Sequence, residues 1–328
     1  MQKIKHPAFD HKSIKIYLKW IGRALVLLSL IFVSKKFWQY KTEVTQLNDS
    51  NTLWLFVLLF FLLYGLLKFI HALGWFYLLH IGKKQNKPIQ LIEAVIVFGK
   101  THIAKYIPGN IFHYTGRHIF ARGYNLSDSY LIKTTFVEIT IVISIAILFS
   151  LFSINGIIEG LPYYLPFLNK SMILIVISGM IFILFIIIYF WIDKIVGYLR
   201  ELNFIQFFKT YLLYLLFFSI NIVFFFSVIY VVDPELMLNR YDIFKIIGGY
   251  SAAWVIGFLV PGAPGGIGVR EAVLITLLGP VLQESTLVIV TVLFRIVTLA
   301  GDFVHFLLTI LIEYLTKKLN YKYNRSNI

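Results

Sequence analysis

The sequence LWLFVLLFFLLYGLLKFIHALGWFYLLHI, from Leu53 to Ile81, contains a single lysine, Lys68, and no acidic residue. It is longer than the roughly 20 residues that an α-helix needs to cross a bilayer. A shorter apolar run, Ala24–Val33, follows the basic N-terminus, and Ile14–Val33 is predicted to be an uncleaved first span. Four further apolar runs are also long enough for spanning helices: Leu131–Ile154, Met172–Ile192, Phe207–Val232 and Ser285–Ile312.

The composition agrees with an integral membrane protein. Of the 328 residues, 59% are apolar and only 14% are charged, and the mean hydropathy is +0.81, so a soluble domain is excluded. The absence of cysteine excludes disulfides, thiolate metal sites and cysteine nucleophiles. The net charge of +14 arises from basic residues that flank apolar runs, so it indicates a cytoplasmic face on anionic lipid and not a nucleic-acid partner.

Two other apolar segments are interrupted. Leu91–Ala121 is broken at Ile107-Pro-Gly-Asn110, and Phe244–Leu282 is broken at Val260-Pro-Gly-Ala-Pro-Gly-Gly-Ile-Gly268. Proline removes a helix donor and glycine lowers backbone order, so a straight spanning helix is not expected at either place. Each segment is predicted to be a re-entrant hairpin of two short arms.

These features recur along the chain with even spacing. The runs at Leu53 and Phe207, the breaks at Ile107 and Val260, and the runs at Leu131 and Ser285 are offset by 154, 153 and 154 residues. We therefore predict an all-α polytopic membrane protein with about six full spans, two re-entrant broken helices and an inverted repeat, although even spacing also arises by coincidence. The predicted parts of this single membrane domain are a first span (1–52), repeat 1 (53–154), a connecting span (155–206), repeat 2 (207–313) and a basic cytoplasmic tail (314–328).

Loop charge favours this topology. With both broken segments re-entrant, most loop lysines and arginines fall on the side of the two termini, which are then cytoplasmic. The breaks near Asn110 and Ala263 are expected to open to opposite faces. Paired interrupted segments in inverted halves indicate a transporter-type site at the repeat interface.

Ionisable residues inside the apolar runs cost about 2.5–3.5 kcal/mol each at the bilayer centre, so each needs a partner or a function. Those in the runs fall at helical spacing on common faces. They either form structural ion pairs that fix the packing, with Arg295 and Asp302 paired with or without Glu138 and Lys68 neutralising Glu138 or Asp302, or act as a gate lining a hydrated path. The predicted gate or polar network comprises Lys68, His71, Glu138, Glu271, Arg295, Asp302 and His305.

Basic residues surround the first break. A helix that opens after a Pro-Gly break exposes unpaired amides, which favour an anion, and basic neighbours would complete a phosphate site. The candidate ligands are Lys105, Asn110, His113 and Arg117. The alternative is an arm that rests on anionic lipid at the membrane surface.

The second break has four glycines and two prolines between Pro261 and Gly268. Closely spaced glycines let a backbone approach a ligand or another helix. No Gly-Lys-Ser/Thr follows, and the Gly-x-Gly-x-x-Gly frame is missing, so neither a Walker loop nor a dinucleotide site is indicated. The candidate headgroup ligands here are Gly265, Gly266, Gly268 and Arg270, unless Arg270 and Glu271 simply cap the helix and pair with each other.

Two stretches resemble a known family. The stretches Lys105-Tyr-Ile-Pro-Gly-Asn-Ile-Phe-His113 and Pro264-Gly-Gly-Ile-Gly-Val-Arg-Glu-Ala272, with Arg117 and Arg122-Gly123, are similar to the paired motifs of the lysylphosphatidylglycerol synthase transmembrane-region family. The resemblance covers about residues 14–315, and Phe112 stands where the family pattern has tryptophan. It implies a flippase-like module without the soluble aminoacyltransferase domain, for which the 328 residues leave no room.

The expected function is therefore translocation of a phospholipid or lipid-linked headgroup across the bacterial plasma membrane. The expected partner is an anionic or lipid-linked substrate, with a homo-oligomer or a separate lipid-synthesising enzyme as further possibilities, and no cofactor, metal or catalytic residue is predicted. The alternatives are a membrane-embedded transferase using Glu138 or Glu271 as a base, a subunit of an envelope-glycan assembly system, and a non-catalytic scaffold. As proposed ligands, Arg117 and Arg270 are expected to tolerate alanine without loss of the fold.

Overall fold

A computed structural model describes residues 38, 51–82, 89–107, 111–124, 126–153, 203–260 and 263–326. This part of the chain is helical. Its α-helices are α1 (Asn51–Leu79), α2 (Leu91–His102), α3 (Phe112–Ala121), α4 (Asp128–Ser150), α5 (Phe204–Val232), α6 (Arg240–Leu259), α7 (Val269–Leu278) and α8 (Glu284–Ser326).

Five of these helices, α1, α4, α5, α6 and α8, are long and apolar enough to cross a membrane. They fit a multi-pass membrane protein. Four of them match predicted spans within a few residues, except that α8 continues through most of the predicted basic tail to Ser326. The predicted spans Ile14–Val33 and Met172–Ile192 lie outside the described residues.

The spans expose many apolar side chains and bury several charged ones. On α1, the exposed side chains include Leu55, Leu59 and Leu66, whereas Lys68 is only 3% exposed. On α8, Asp302 is 2% exposed. Apolar side chains that face the lipid need no partner, whereas a buried charge requires one. The arrangement of side chains around each helix therefore directs the charges toward one interior region.

The first broken segment has the predicted two short arms. After α2, a 3₁₀ turn covers Ile103–Tyr106, and Ile107 is extended before α3 begins. Ile111, at the N-cap of α3, has no side-chain hydrogen bond to the first turn. With 12 and 10 residues, α2 and α3 are each too short to span a bilayer.

The second broken segment differs from the prediction. Its first arm, α6, has 20 residues and is long enough to span the membrane alone. The sequence placed the start of this arm at Phe244 because Arg240 and Asp242 are charged. Asn239 and Asp242 instead form a reciprocal capping box, with bonds of 2.9 and 3.2 Å, which starts the helix at Arg240.

The two halves of the described chain interlock. The first arm α2 packs against α8 of the other half, and α6 packs against α4 in the same way. The long helices α1 and α5 contact each other, and α1 also packs along α8. The interior bounded by these helices holds the buried charges.

Candidate functional site

A cavity of about 140 Å³ lies where the two halves meet, and all eight helices contribute to its wall. One water needs roughly 10–15 Å³ measured in this way, so the cavity has room for several waters or a small headgroup. Its charged and histidine lining residues are Lys68, His71, His102, Lys105, His113, Arg117, Glu138, Arg270, Glu271, Arg295 and Asp302. Five tyrosines also line it: Tyr64, Tyr106, Tyr114, Tyr214 and Tyr250.

The cavity wall carries unequal numbers of positive and negative groups. Five lysines and arginines line it, against three carboxylates, so with neutral histidines two positive charges have no counterpart among the lining residues. A low-dielectric site with excess positive charge favours an anion.

Asp302 is the centre of the first charged cluster. Its carboxylate lies 3.3 Å from Nζ of Lys68 and 2.6 Å from Nζ of Lys105. The Tyr106 hydroxyl donates to the same carboxylate. These contacts join α1, α8 and the first break, so Lys105 is held at the cavity by a carboxylate nearly two hundred residues away.

Arg117 and Glu138 form the second cluster. Nη1 of Arg117 donates to both carboxylate oxygens of Glu138, at 2.8 and 3.0 Å, and both residues are 2% exposed. The Arg117 guanidinium also lies 4.4 Å from the ring centre of Phe98. Because the pair fixes α3 against α4, it holds the second arm of the first break in place.

The third cluster surrounds the second break. Glu271 accepts a hydrogen bond from the backbone N–H of Gly268 at 2.7 Å and so caps α7. Its other oxygen lies 3.6 Å from Nε of Arg295, and Arg295 donates to the backbone oxygen of Gly265 at 3.1 Å. Glu271 therefore caps the helix as the sequence suggested, but its ion-pair partner is Arg295 and not Arg270.

The predicted glycine ligands have a conformational role. Gly265, Gly266 and Gly268 have φ of 57°, 76° and 82°, in the left-handed region that favours glycine. A Cβ on Gly265 would lie 3.1 Å from the ring of Tyr106. The glycine-rich loop thus approaches the first break, and the two breaks touch at Tyr106.

Arg270 differs from the other four cations. Among the described residues it has no hydrogen-bond or ion-pair partner, and its Nε is buried. Its guanidinium lies 5.0 Å from the ring centre of Trp254, and its side chain passes beside Gly266, where a Cβ would lie 2.6 Å from Nε. Arg270 is consequently positioned by packing, and no carboxylate of the described residues lies within ion-pair distance of its guanidinium.

The structure brings most of the predicted residues into one cavity. Lys105, His113 and Arg117, expected on the inner side, line the same cavity as Gly265 and Arg270, expected on the outer side. Gly266, Gly268 and His305 do not line it, and His305 is buried beside the ring of Phe69. Asn110 lies outside the described residues.

The suggested direct pair of Arg295 and Asp302 is not present. Arg295 contacts Glu271, and Asp302 contacts Lys68 and Lys105. Spacing on one helix shows which residues share a face, but the ion-pair partners come from other helices. Sequence analysis also missed Tyr106, Tyr214 and Trp254, because an aromatic residue in an apolar run gives no signal of its role.

The described residues bring no three His, Asp or Glu side chains together in a way that would hold a metal ion. Comparison with family models gives no match to this chain, and comparison with curated protein sequences gives none either. The function is therefore inferred from the residues of the cavity.

Proposed function

We propose that this protein binds an anionic lipid headgroup in the central cavity and moves the lipid between leaflets in a flippase-like manner. The observation that carries the proposal is the excess of two positive charges in an intramembrane cavity, with Arg270 unpaired. An uncompensated arginine inside the membrane is costly, and a phosphate offers it two parallel hydrogen bonds. The resemblance to the transmembrane region of lysylphosphatidylglycerol synthases points to the same class of function, in a bacterial plasma membrane.

In this proposal the two broken segments are re-entrant hairpins of an inverted repeat. Three observations support it. Both halves have the helix order long, broken, long; α1 and α5 both contain 29 residues, and α3 and α7 both contain 10. The arms α2 and α6 each pack against the last helix of the opposite half. The headgroup would bind where the two breaks touch, and the ion pairs of Asp302, Glu138 and Arg295 would change partners as the cavity opens to either side.

Cysteine accessibility tests the topology. The chain has no cysteine, and exposed positions flank both hairpins: Gln90 and Gly123 on the first, Met237 and Gln283 on the second. We expect single cysteines at Gln90 and Gly123 to react with an impermeant maleimide from the cytoplasmic side. Those at Met237 and Gln283 should react from the opposite side. If the two flanks of either hairpin were labelled from different sides, that segment would span the membrane and the inverted repeat would be wrong.

Replacing Arg270 tests the function. We expect Arg270→Ala to keep its fold, because no carboxylate loses a partner, and to slow exchange of an anionic fluorescent lipid in liposomes by at least about tenfold, the loss expected when one charged hydrogen bond disappears. Arg270→Lys should restore part of the rate, since a point charge replaces a bidentate fork. The matched control is Arg122→Ala, because Arg122 pairs with Asp128 at the exposed surface. Wild-type exchange by correctly folded Arg270→Ala would refute the headgroup assignment.

The transferase alternative has less support from the geometry. Glu138 and Glu271, its candidate bases, are both engaged with arginines, and Glu271 also caps α7. Both carboxylates are thus already occupied by structural contacts. The liposome assay separates the two functions, because a transferase supplied with a donor changes the lipid chemically, whereas a flippase changes only its leaflet.

A further inference from the structure

One part of the cavity wall consists of histidine and tyrosine rings that adjoin the ion pairs: Nε2 of His102 lies 3.0 Å from Nζ of Lys105, and Nε2 of His71 lies 3.9 Å from a carboxylate oxygen of Glu138. We define the imidazole–tyrosine patch as His71, His102, His113 and Tyr214, which come from α1, α2, α3 and α5 and all line the cavity. Their rings adjoin one another: His71 lies 5.0 Å from Tyr214 and 5.7 Å from His102, and His102 lies 6.2 Å from His113, between ring centres.

Several buried polar atoms of this patch have no hydrogen-bond partner in the described part of the protein. They are both ring nitrogens of His71, Nδ1 of His102, Nδ1 of His113 and the hydroxyl of Tyr214. Tyr214, His102 and His113 are 2%, 6% and 6% exposed. Buried polar atoms nearly always have a partner, and four helices supplying such atoms to one cavity wall make a built site for a ligand.

The chemistry of these atoms indicates what kind of group they bind. A neutral imidazole both donates and accepts a hydrogen bond, and a phenol does the same. A hydroxyl group on a ligand is complementary to both. The patch lies in the first half and α5, whereas the unpaired Arg270 lies on α7 against Trp254 of α6. Hydroxyl-binding and anion-binding groups thus occupy different walls of the same cavity.

We propose that the lipid bound here is a polyol or sugar phosphate lipid, with its phosphate at Arg270 and its hydroxyl groups on the imidazole–tyrosine patch. This inference rests on the proposed function, and it names the substrate class for the same cavity. It predicts selectivity among anionic lipids of equal charge.

Two short-chain lipids test it in detergent: phosphatidylinositol, and phosphatidylpropanol, which has the same phosphodiester charge without headgroup hydroxyls. We expect the wild-type protein to bind phosphatidylinositol more tightly. Tyr214→Phe should reduce the ratio of the two affinities by roughly 2- to 10-fold, the value of one neutral hydrogen bond, and leave the affinity for phosphatidylpropanol unchanged. Because the Tyr214 hydroxyl has no hydrogen-bond partner among the described residues, Tyr214→Phe should fold normally.

Tyr211→Phe is the matched control, since Tyr211 is on the same helix but does not line the cavity; it should keep the wild-type ratio. Equal wild-type affinities for the two lipids, or an unchanged ratio in Tyr214→Phe, would overturn the hydroxyl assignment.

If both lipids bound equally and Arg270→Ala weakened the binding of both, the proposed function would stand without the hydroxyl assignment. If neither lipid bound better than diacylglycerol, the proposed function would fail as well. Soluble inositol phosphate should compete only weakly, and tight binding of it would show that the ligand is not a lipid.

Discussion

Asp302→Asn should be strongly destabilising, by roughly 3–5 kcal/mol, because it leaves buried lysines without their carboxylate. Lys68 and Lys105 both contact Asp302, and their side chains are 4% and 18% exposed. The expected result in detergent is a large fall of the melting temperature and a low yield of folded protein. A matched control is Asp128→Asn, whose partner Arg122 is exposed, so the expected loss there is at most about 1 kcal/mol.

A second substitution identifies which lysine causes the loss. Both lysines line the cavity, but the Lys105 side chain is 18% exposed, whereas that of Lys68 is 4% exposed and lies against the rings of Tyr64 and Phe217. Lys68→Met combined with Asp302→Asn should therefore recover more stability than Lys105→Met combined with Asp302→Asn. Equal recovery, or a wild-type melting temperature for Asp302→Asn alone, would show that Asp302 is already solvated and that its contacts do not hold the helices together.

Arg117→Ala should also unfold or severely destabilise the protein, by roughly 3–5 kcal/mol, since it leaves Glu138 as an unpaired buried charge. The alanine also removes the packing of the guanidinium against Phe98 and Trp75. The measurement is the melting temperature of the purified variant beside that of Arg270→Ala, which should remain near the wild-type value.

The double variant Arg117→Leu with Glu138→Leu separates charge from packing. Replacing a buried ion pair by apolar residues is often neutral or stabilising, so much of the stability should return. If Arg117→Ala were as stable as the wild-type protein, the ion pair would contribute nothing to the fold, and the sequence-based expectation that alanine is tolerated at this position would be correct.

Sequence analysis predicted four of the five long apolar helices of the described residues, because a long apolar run has few alternatives in a bilayer. The interruptions at Ile107 and Val260 were also found, since proline and glycine act locally on the backbone. The length of α6 was underestimated because a capping box admits charged residues at a helix start, whereas a hydropathy criterion excludes them.

The candidate site was predicted as a set of residues but not as an arrangement. Arg295 and Asp302 share a helix face, which the spacing showed, and Asp302 was one of the partners considered for Lys68, but the contacts of Arg295 with Glu271 and of Asp302 with Lys105 were not predicted. Ion pairing depends on which helices become neighbours in the fold, and helical spacing in a single sequence does not show which helices those are.

The ion pair of Lys68 with Asp302 has a consequence for how the chain enters the membrane. During synthesis α1 emerges before α8, so Lys68 is placed in the bilayer before its counterion exists. Insertion of a lysine at a helix centre costs about 2.5–3.5 kcal/mol, and each leucine or phenylalanine returns about 0.3–0.6 kcal/mol. The many leucines and phenylalanines of α1 offset that cost, so the helix can insert alone, and the ion pair forms later, when α8 supplies the carboxylate.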